Sequence, residues 1–272
     1  MNVELLALKR EHIAKIPQYT ASWIRPEVFD LTIFSCAGYT DYLLYLENLP
    51  ARMRPNILIG AYLGDELLGF AEWRRLENAM FLNNLFVQPG CRGTGVGRIL
   101  VDFGIRLASE EKLSSVALDA FDWAPDTIGW YERLGFIQVM RQFYLTCPNP
   151  YSVISRESAA VSLPSERSGD AWLQNDSGFI LEDYPQAEAS QERFGFSSFR
   201  VKIGGGSVVV GRLGDRWFRF TTNTSRIDAE LLQSLALLDD NRSLLILSQQ
   251  TDAENGLKPI PVCGSVRLQL NR

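Results

Sequence analysis

Leu85-Phe86-Val87-Gln88-Pro89-Gly90-Cys91-Arg92-Gly93-Thr94-Gly95-Val96-Gly97-Arg98-Ile99-Leu100 reads as the end of a strand, a glycine turn and the start of a helix. Phe81, Leu82, Leu85, Phe86 and Val87 make an extended apolar run that Pro89 stops, and Ile99, Leu100, Phe103 and Leu107 then recur at helical spacing. A turn of this kind aims several backbone N–H groups with no intrahelical acceptor at one point, backed by the positive end of the helix dipole. Gly93, Gly95 and Gly97 let an anion approach the backbone closely, and Arg92 and Arg98 add charge at the rim. The anion expected here is a pyrophosphate.

Two better-known glycine loops are excluded. A P-loop ends in Gly-Lys-Ser/Thr, and Arg92 to Leu100 contains no lysine. The dinucleotide fingerprint spaces its glycines Gly-x-Gly-x-x-Gly, whereas these fall at every second position.

Arg92-Gly93-Thr94-Gly95-Val96-Gly97 resembles, at each specified position, the acetyl-CoA signature Gln/Arg-x-x-Gly-x-Gly/Ala of the GNAT superfamily of N-acetyltransferases. Downstream, Val116 to Phe121 and then Trp130-Tyr131-Glu132-Arg133-Leu134-Gly135-Phe136 resemble that family's next strand and its Tyr-Glu-x-Leu-Gly-Phe helix end. The resemblance implies a mixed α/β (α+β) fold, with a mostly antiparallel central sheet flanked by helices. The implied cosubstrate is acetyl-CoA, and the implied activity is transfer of acetyl to a primary amine of a small molecule or peptide. The alternative is a non-catalytic acyl-CoA-binding sensor or interaction module.

Composition bounds these expectations. Hydrophobic residues at 46% and charged residues at 22% suit a globular chain with a sizeable core, and 272 residues are enough for two domains. A net charge of −5 argues against nucleic acid as a partner. No apolar run approaches the ~20 residues of a membrane span, and Met1-Asn2-Val3-Glu4 lacks the basic start of a secretory signal, so a cytoplasmic protein without a membrane partner is expected. Cys36, Cys91, Cys147 and Cys263 are scattered, which points to reduced thiols and no metal site. His12 is the single histidine, which sets aside Ser-His-Asp chemistry and leaves it a solvated or capping role.

The chain then divides. Residues 1–146 read as the GNAT-like domain: a strand over Val3 to Leu8, a helix from Arg10 to Gln18 ended near Pro17, and a helix from Asp41 to Leu49. Ile57 to Tyr62 and Leu67 to Trp73 form a hairpin around Gly64-Asp65, followed by the strand Ala79 to Val87, the helix Val96 to Glu111 and a last strand from Phe136 to Thr146. Residues 147–170 read as a linker. Residues 171–272 read as a smaller α/β unit, with strands at Phe196 to Val201, Ser207 to Arg212, Arg216 to Thr221, Ser243 to Leu247 and Ser265 to Leu270, and a helix from Ile227 to Leu238. The Leu-Gly-Asp turn at Leu63 to Asp65 recurs at Leu213 to Asp215, so this unit reads as a reduced copy of the first. It has no Arg-x-x-Gly-x-Gly loop and is expected to bind no acetyl-CoA, while Gly204-Gly205-Gly206 reads as a hairpin turn. Its expected role is to shape the substrate cleft or to mediate a homodimer.

Acetyl transfer needs a neutral amine, a polarised thioester carbonyl and a protonated leaving thiolate. A lysine-like amine costs about 4.6 kcal/mol to neutralise at pH 7, so a base is useful. By the resemblance, the backbone of Leu85, Phe86 and Val87 pairs with the pantetheine arm, and Tyr131 protonates the departing sulfur. Asp119 aligns with an acidic residue that some family members carry, Glu72 competes with it as base, and a water chain is a third arrangement, with Asn83 and Asn84 either ordering its waters or binding substrate. Trp23, Phe29, Phe34, Tyr39 and Tyr42 are pocket candidates. Many family members carry an asparagine where this chain has Ala124, and Asp126 or Thr127 is expected to cap the following helix instead.

Overall fold

The computed structural model describes residues 3–152, 171–174, 180–203, 206–222, 227–251 and 257–271. Most of the expected linker, 153–170, lies outside the described residues, as do Gly204 and Gly205. In chain order the elements begin with β1 (Glu4–Ala7), α1 (Arg10–Ile13), α2 (Ile16–Ala21), α3 (Pro26–Phe29), α4 (Tyr39–Glu47), β2 (Asn56–Leu63), β3 (Glu66–Arg75) and β4 (Ala79–Val87). They continue with α5 (Val96–Glu110), β5 (Ser115–Phe121), α6 (Pro125–Arg133), β6 (Ile137–Cys147), β7 (Ala171–Gln174) and β8 (Ile180–Glu182). The last are α7 (Tyr184–Phe194), β9 (Phe196–Ile203), β10 (Gly206–Leu213), β11 (Trp217–Thr222), α8 (Ala229–Leu238), β12 (Ser243–Ser248) and β13 (Ile260–Asn271).

The chain forms two compact units, and neither is a single block of sequence. One comprises Met1–Arg25, Thr40–Arg141 and Ser265–Arg272; the other comprises Pro26–Tyr39 and Gln142–Gly264. This differs from the expected division at residues 146 and 171. The second unit is not smaller than the first, because 26–39 and 142–152 pack into it.

In the first unit the strands run β1-β2-β3-β4-β5-β13. Every neighbour is antiparallel except β4 and β5, which α5 joins as a parallel crossover. Ile59, Ala61, Ala71, Trp73, Met80, Leu82, Val116 and Leu118 face α5 and form the core with Val96, Leu100, Val101 and Ala108. The opposite face meets α2, where Tyr19 stacks on Phe86 at 4.8 Å and lies 5.8 Å from Phe70. The expected helix over Arg10 to Gln18 is two short helices. Pro17 stands in the first turn of α2 rather than at the end of α1, a place where its missing N–H costs nothing.

The second unit repeats the plan, with the order β6-β12-β11-β10-β9-β8-β7 and a parallel crossover from β11 through α8 to β12. Phe199, Val201, Val210, Phe218 and Phe220 pack on Leu231, Leu232 and Leu235 of α8. Counting back from each crossover, the hairpin β10–β11 corresponds to β3–β4, whereas the shared Leu-Gly-Asp turn joins β2 to β3 in the first unit. The repeated tripeptide therefore marks similar turn chemistry at non-equivalent hairpins. The helix α7 was not legible in the sequence, although Pro185 in its first turn and Gly195 at its end are its punctuation.

The strand Ser265 to Leu270 forms as expected but in the other unit, beside β5, with Arg267 opposite Asp119 and Leu268 opposite Leu118. Its alternation satisfies the first unit's core, where Leu268 is fully buried.

Candidate active site

The pairing of β4 with β5 stops at Leu82 opposite Leu118, although β4 continues to Val87 and β5 to Phe121. A register irregularity in the β3–β4 ladder lies at the same level: Glu72 faces Asn84 and Trp73 faces Leu82, leaving Asn83 as the extra residue. The bulge switches the alternation of β4. Met80 and Leu82 point to α5 before it, and Leu85 and Val87 do so after it, while Asn84 and Phe86 turn toward α2. The strands thus open a wedge whose β4 edge, over Leu85 to Val87, has no strand partner on the β5 side among the described residues.

At the wide end of the wedge lies the glycine turn. Pro89–Cys91 make one turn of 3-10 helix, Thr94 Oγ1 donates to the Cys91 carbonyl at 2.6 Å, and α5 starts at Val96. Gly95, the residue before α5, has φ +94°, a backbone conformation that side-chain-bearing residues rarely adopt. Cβ atoms added at Gly90, Gly93 or Gly95 would meet nothing within 4 Å, so the turn borders open space. Arg92 sits at the rim with Nε 3.4 Å from the Val87 carbonyl, and Arg98 lies 3.4 Å from Asp102 one turn on. The first N–H groups of a fifteen-residue helix, two arginines and open space beside the glycines fit a pyrophosphate. A residue the sequence did not single out joins them: the Trp130 ring would lie 3.5 Å, and Val87 Cγ2 3.6 Å, from a methyl on Gly97.

Tyr131 is buried in the core that also holds Val96 and Leu100, edge-on to Trp130 and Phe136. Burial pushes its phenol pKa far above the ordinary tyrosine value, so it is protonated at neutral pH and able to donate. The helix that carries it begins after Ala124 with no side-chain cap. The expected capping by Asp126 or Thr127 is corrected: both stand inside the first turn, after Pro125.

The two candidate bases differ in setting. Asp119 accepts from Arg267 Nη2 at 2.8 Å and from Arg267 Nε, and the guanidinium lies 5.1 Å from the Phe81 ring centroid. Both oxygens of this carboxylate are thus engaged by one guanidinium, which ties Asp119 to β13. Glu72 is fully buried, and its Oε1 accepts from Asn56 Nδ2 at 2.6 Å. It lies within electrostatic reach of Tyr42 on α4, whose phenol pKa is raised by burial first, with Arg74 opposing and Glu72 adding.

Of the pocket candidates, Trp23 is partly exposed and lies 6.4 Å from Phe121, which stacks on Trp123 at 4.1 Å. Phe29, Phe34 and Tyr39 belong to the other unit. His12 is neither solvated nor a cap: its Nδ1 is 3.3 Å from the Tyr19 hydroxyl, its Nε2 is buried with no hydrogen-bond partner and lies 3.8 Å from Glu11 Oε1, and burial lowers its pKa. Among the described residues no group of three or more His, Cys, Asp or Glu side chains could hold a metal, and no helix is long and apolar enough to cross a membrane.

Residues 21–136 match the Acetyltransferase (GNAT) family profile, so this part of the chain is a GNAT domain. Solved structures with the same fold extend the likeness to the whole length. A tandem GNAT protein from the clavulanic acid biosynthesis pathway has a TM-score of 0.58 at 13% identity, covering 99% of this chain and 98% of that one. A GCN5-related N-acetyltransferase from Sphaerobacter thermophilus has a TM-score of 0.54 at 12% identity, covering 99% and 95%. The chain is 37% identical over 82 residues to the mycothiol acetyltransferase of Streptomyces scabiei, matching 28% of this chain and 26% of that protein. It is 25% identical over 117 residues to the peptidyl-lysine N-acetyltransferase YjaB of Escherichia coli, matching 42% of this chain and 74% of that protein. The chain thus spans about a quarter of the first curated relative and about three quarters of the second.

Proposed function

We propose that the first unit transfers an acetyl group from acetyl-CoA to an amine of a small molecule or peptide. The observation that carries this reading is the wedge between β4 and β5, open from Leu82 to Val87 and ending at the glycine turn of α5. The unpaired edge of Leu85 to Val87 offers backbone N–H and C=O groups to an amide-bearing arm, while the turn from Arg92 to Arg98 holds the pyrophosphate. Acetyl-CoA supplies an activated acyl group as a thioester. A β4 N–H at the wedge donates to the carbonyl oxygen as negative charge develops there. Glu72 takes the proton from the attacking nitrogen, and Tyr131 gives its phenolic proton to the departing sulfur. Asp119 is not given the base role, because Arg267 already holds it.

Both curated relatives are acetyltransferases by name, which supports the reaction, and their names differ in acceptor, so neither acceptor is carried to this chain. The second unit lacks the Arg-x-x-Gly-x-Gly turn and on this reading binds no acetyl-CoA. The test of the base is the pH dependence of kcat/KM in Glu72→Gln. The variant should lose about a hundredfold or more in rate at pH 7 and recover as pH rises toward the pKa of the amine itself. An unchanged profile would remove Glu72 from the mechanism.

A further inference from the structure

Asn84 is nearly fully buried on β4, two residues beyond the point where β4 and β5 part. Its Nδ2 donates to Thr20 Oγ1 of α2 at 2.7 Å, while Thr20 Oγ1 itself donates to the Ile16 carbonyl at 2.9 Å. A hydroxyl has one proton, so Thr20 can only accept from Asn84. That fixes the amide, with nitrogen toward α2 and oxygen away from it. The Oδ1 so directed is buried and has no hydrogen-bond partner. A buried acceptor left unmatched destabilises the fold, and such a group calls for a reason.

Its surroundings supply one. Directly opposite Asn84 in the ladder is Glu72, fully buried and on the same face. The bulge at Asn83 sets this pair at the narrow end of the wedge. Two oxygen acceptors on adjacent strands suit a nitrogen that carries more than one hydrogen. A hydroxyl has a single proton and can satisfy only one of them, whereas a primary amine gives one proton to the base and still donates to a second oxygen.

We infer that Asn84 Oδ1 binds an N–H of the acceptor amine and so selects a primary amine over a hydroxyl at the attacking position. This rests on the reading of the site as an acetyltransferase and adds to it a residue that positions the acceptor nitrogen. Asn84 is a positioning residue; it takes no proton. As the nitrogen attacks, Asn84 holds one N–H while Glu72 takes another proton, and the C–S bond then breaks with the sulfur protonated by Tyr131.

The experiment uses the full chain with acetyl-CoA. Free thiol release is followed against alkylamines, arylalkylamines, amino acids, short peptides and the matching alcohols, and the best amine is carried into Asn84→Leu and Asn84→Asp. Asn84→Leu should raise the KM for the amine about tenfold to a hundredfold, with the KM for acetyl-CoA within about twofold of the wild type. Asn84→Asp, which keeps an acceptor oxygen but cannot donate to Thr20, should recover most of the amine KM. If Asn84 only ties β4 to α2, Asp will fail as Leu does, and that result would overturn the inference. So would an unchanged amine KM in Asn84→Leu, or equal turnover of matched amine and alcohol by the wild type. No turnover of any amine by the wild type would instead overturn the acetyltransferase reading, and this inference with it.

Discussion

Replacing Gly95 and Gly97 by alanine, one at a time, separates the two demands on the glycine turn. At Gly95 φ is +94° and an added methyl would meet nothing within 4 Å, so the cost is conformational rather than steric. Holding alanine in that conformation costs about 1–2 kcal/mol, a fall in Tm of about 2–8 °C in a chain of this size. If the backbone rotates to escape the strain, an N–H of the turn leaves the anion. One charge-assisted hydrogen bond lost weakens CoA binding about tenfold or more. Gly97 is helical, and its methyl would rest 3.5 Å from the Trp130 ring and 3.6 Å from Val87, ordinary contact distances. Gly97→Ala should therefore bind CoA within a few-fold of the wild type and gain about 0.5–1 kcal/mol from helix propensity. Calorimetric titration with CoA and thermal melts of both variants decide the matter. Equal effects at the two positions, or full CoA affinity in Gly95→Ala, would refute the claim that this turn is the anion cradle.

Two further outcomes are expected. Arg267→Ala leaves Asp119 without its guanidinium partner and should lower stability by about 1–2 kcal/mol, discounted because both side chains are a quarter to a third exposed; chemical denaturation of the single and double variants with Asp119→Asn should show a coupling energy of the same sign. His12 has its pKa lowered by burial, with Glu11 opposing and Lys15 and Lys9 reinforcing, so the unfolded chain binds this proton more readily than the folded one. Its contribution is complete above the unfolded pKa of about 6.5 and is lost as pH falls below it. The urea midpoint should thus drop less between pH 7 and pH 5 in His12→Gln than in the wild type, and equal slopes would contradict the assignment.

Residues 79–110 were legible because their signals are local: an apolar strand, Pro89 as a stop, alternating glycines and then a helical period. Tyr131 was legible through the short pattern around it, ending at Gly135, whose φ of +95° closes α6. The choice of base was not. Asp119 and Glu72 look alike as strand carboxylates, and what separates them is Arg267, which lies 148 residues from Asp119 in the chain. Asn84 was legible as a polar strand residue that orders water or binds substrate, but the direction of its amide was not, since the threonine that fixes it is 64 residues away. The strand alternation of Ser265 to Leu270 identified its conformation but could not say which core it completes. In α7 only Ala187 and Phe194 are buried, too few to set a helical period.

In the proposed mechanism the wedge and turn of the first unit carry out acetyl transfer with Tyr131 as proton donor. It is tested most directly by thiol release from acetyl-CoA in the presence of primary amines, comparing the wild type with Tyr131→Phe at equal CoA saturation. The wild type should turn over, and Tyr131→Phe should lose about a hundredfold or more in kcat with CoA affinity preserved. Tight CoA binding without turnover of any amine would make the site a sensor, and undiminished turnover by Tyr131→Phe would contradict the proton-donor role.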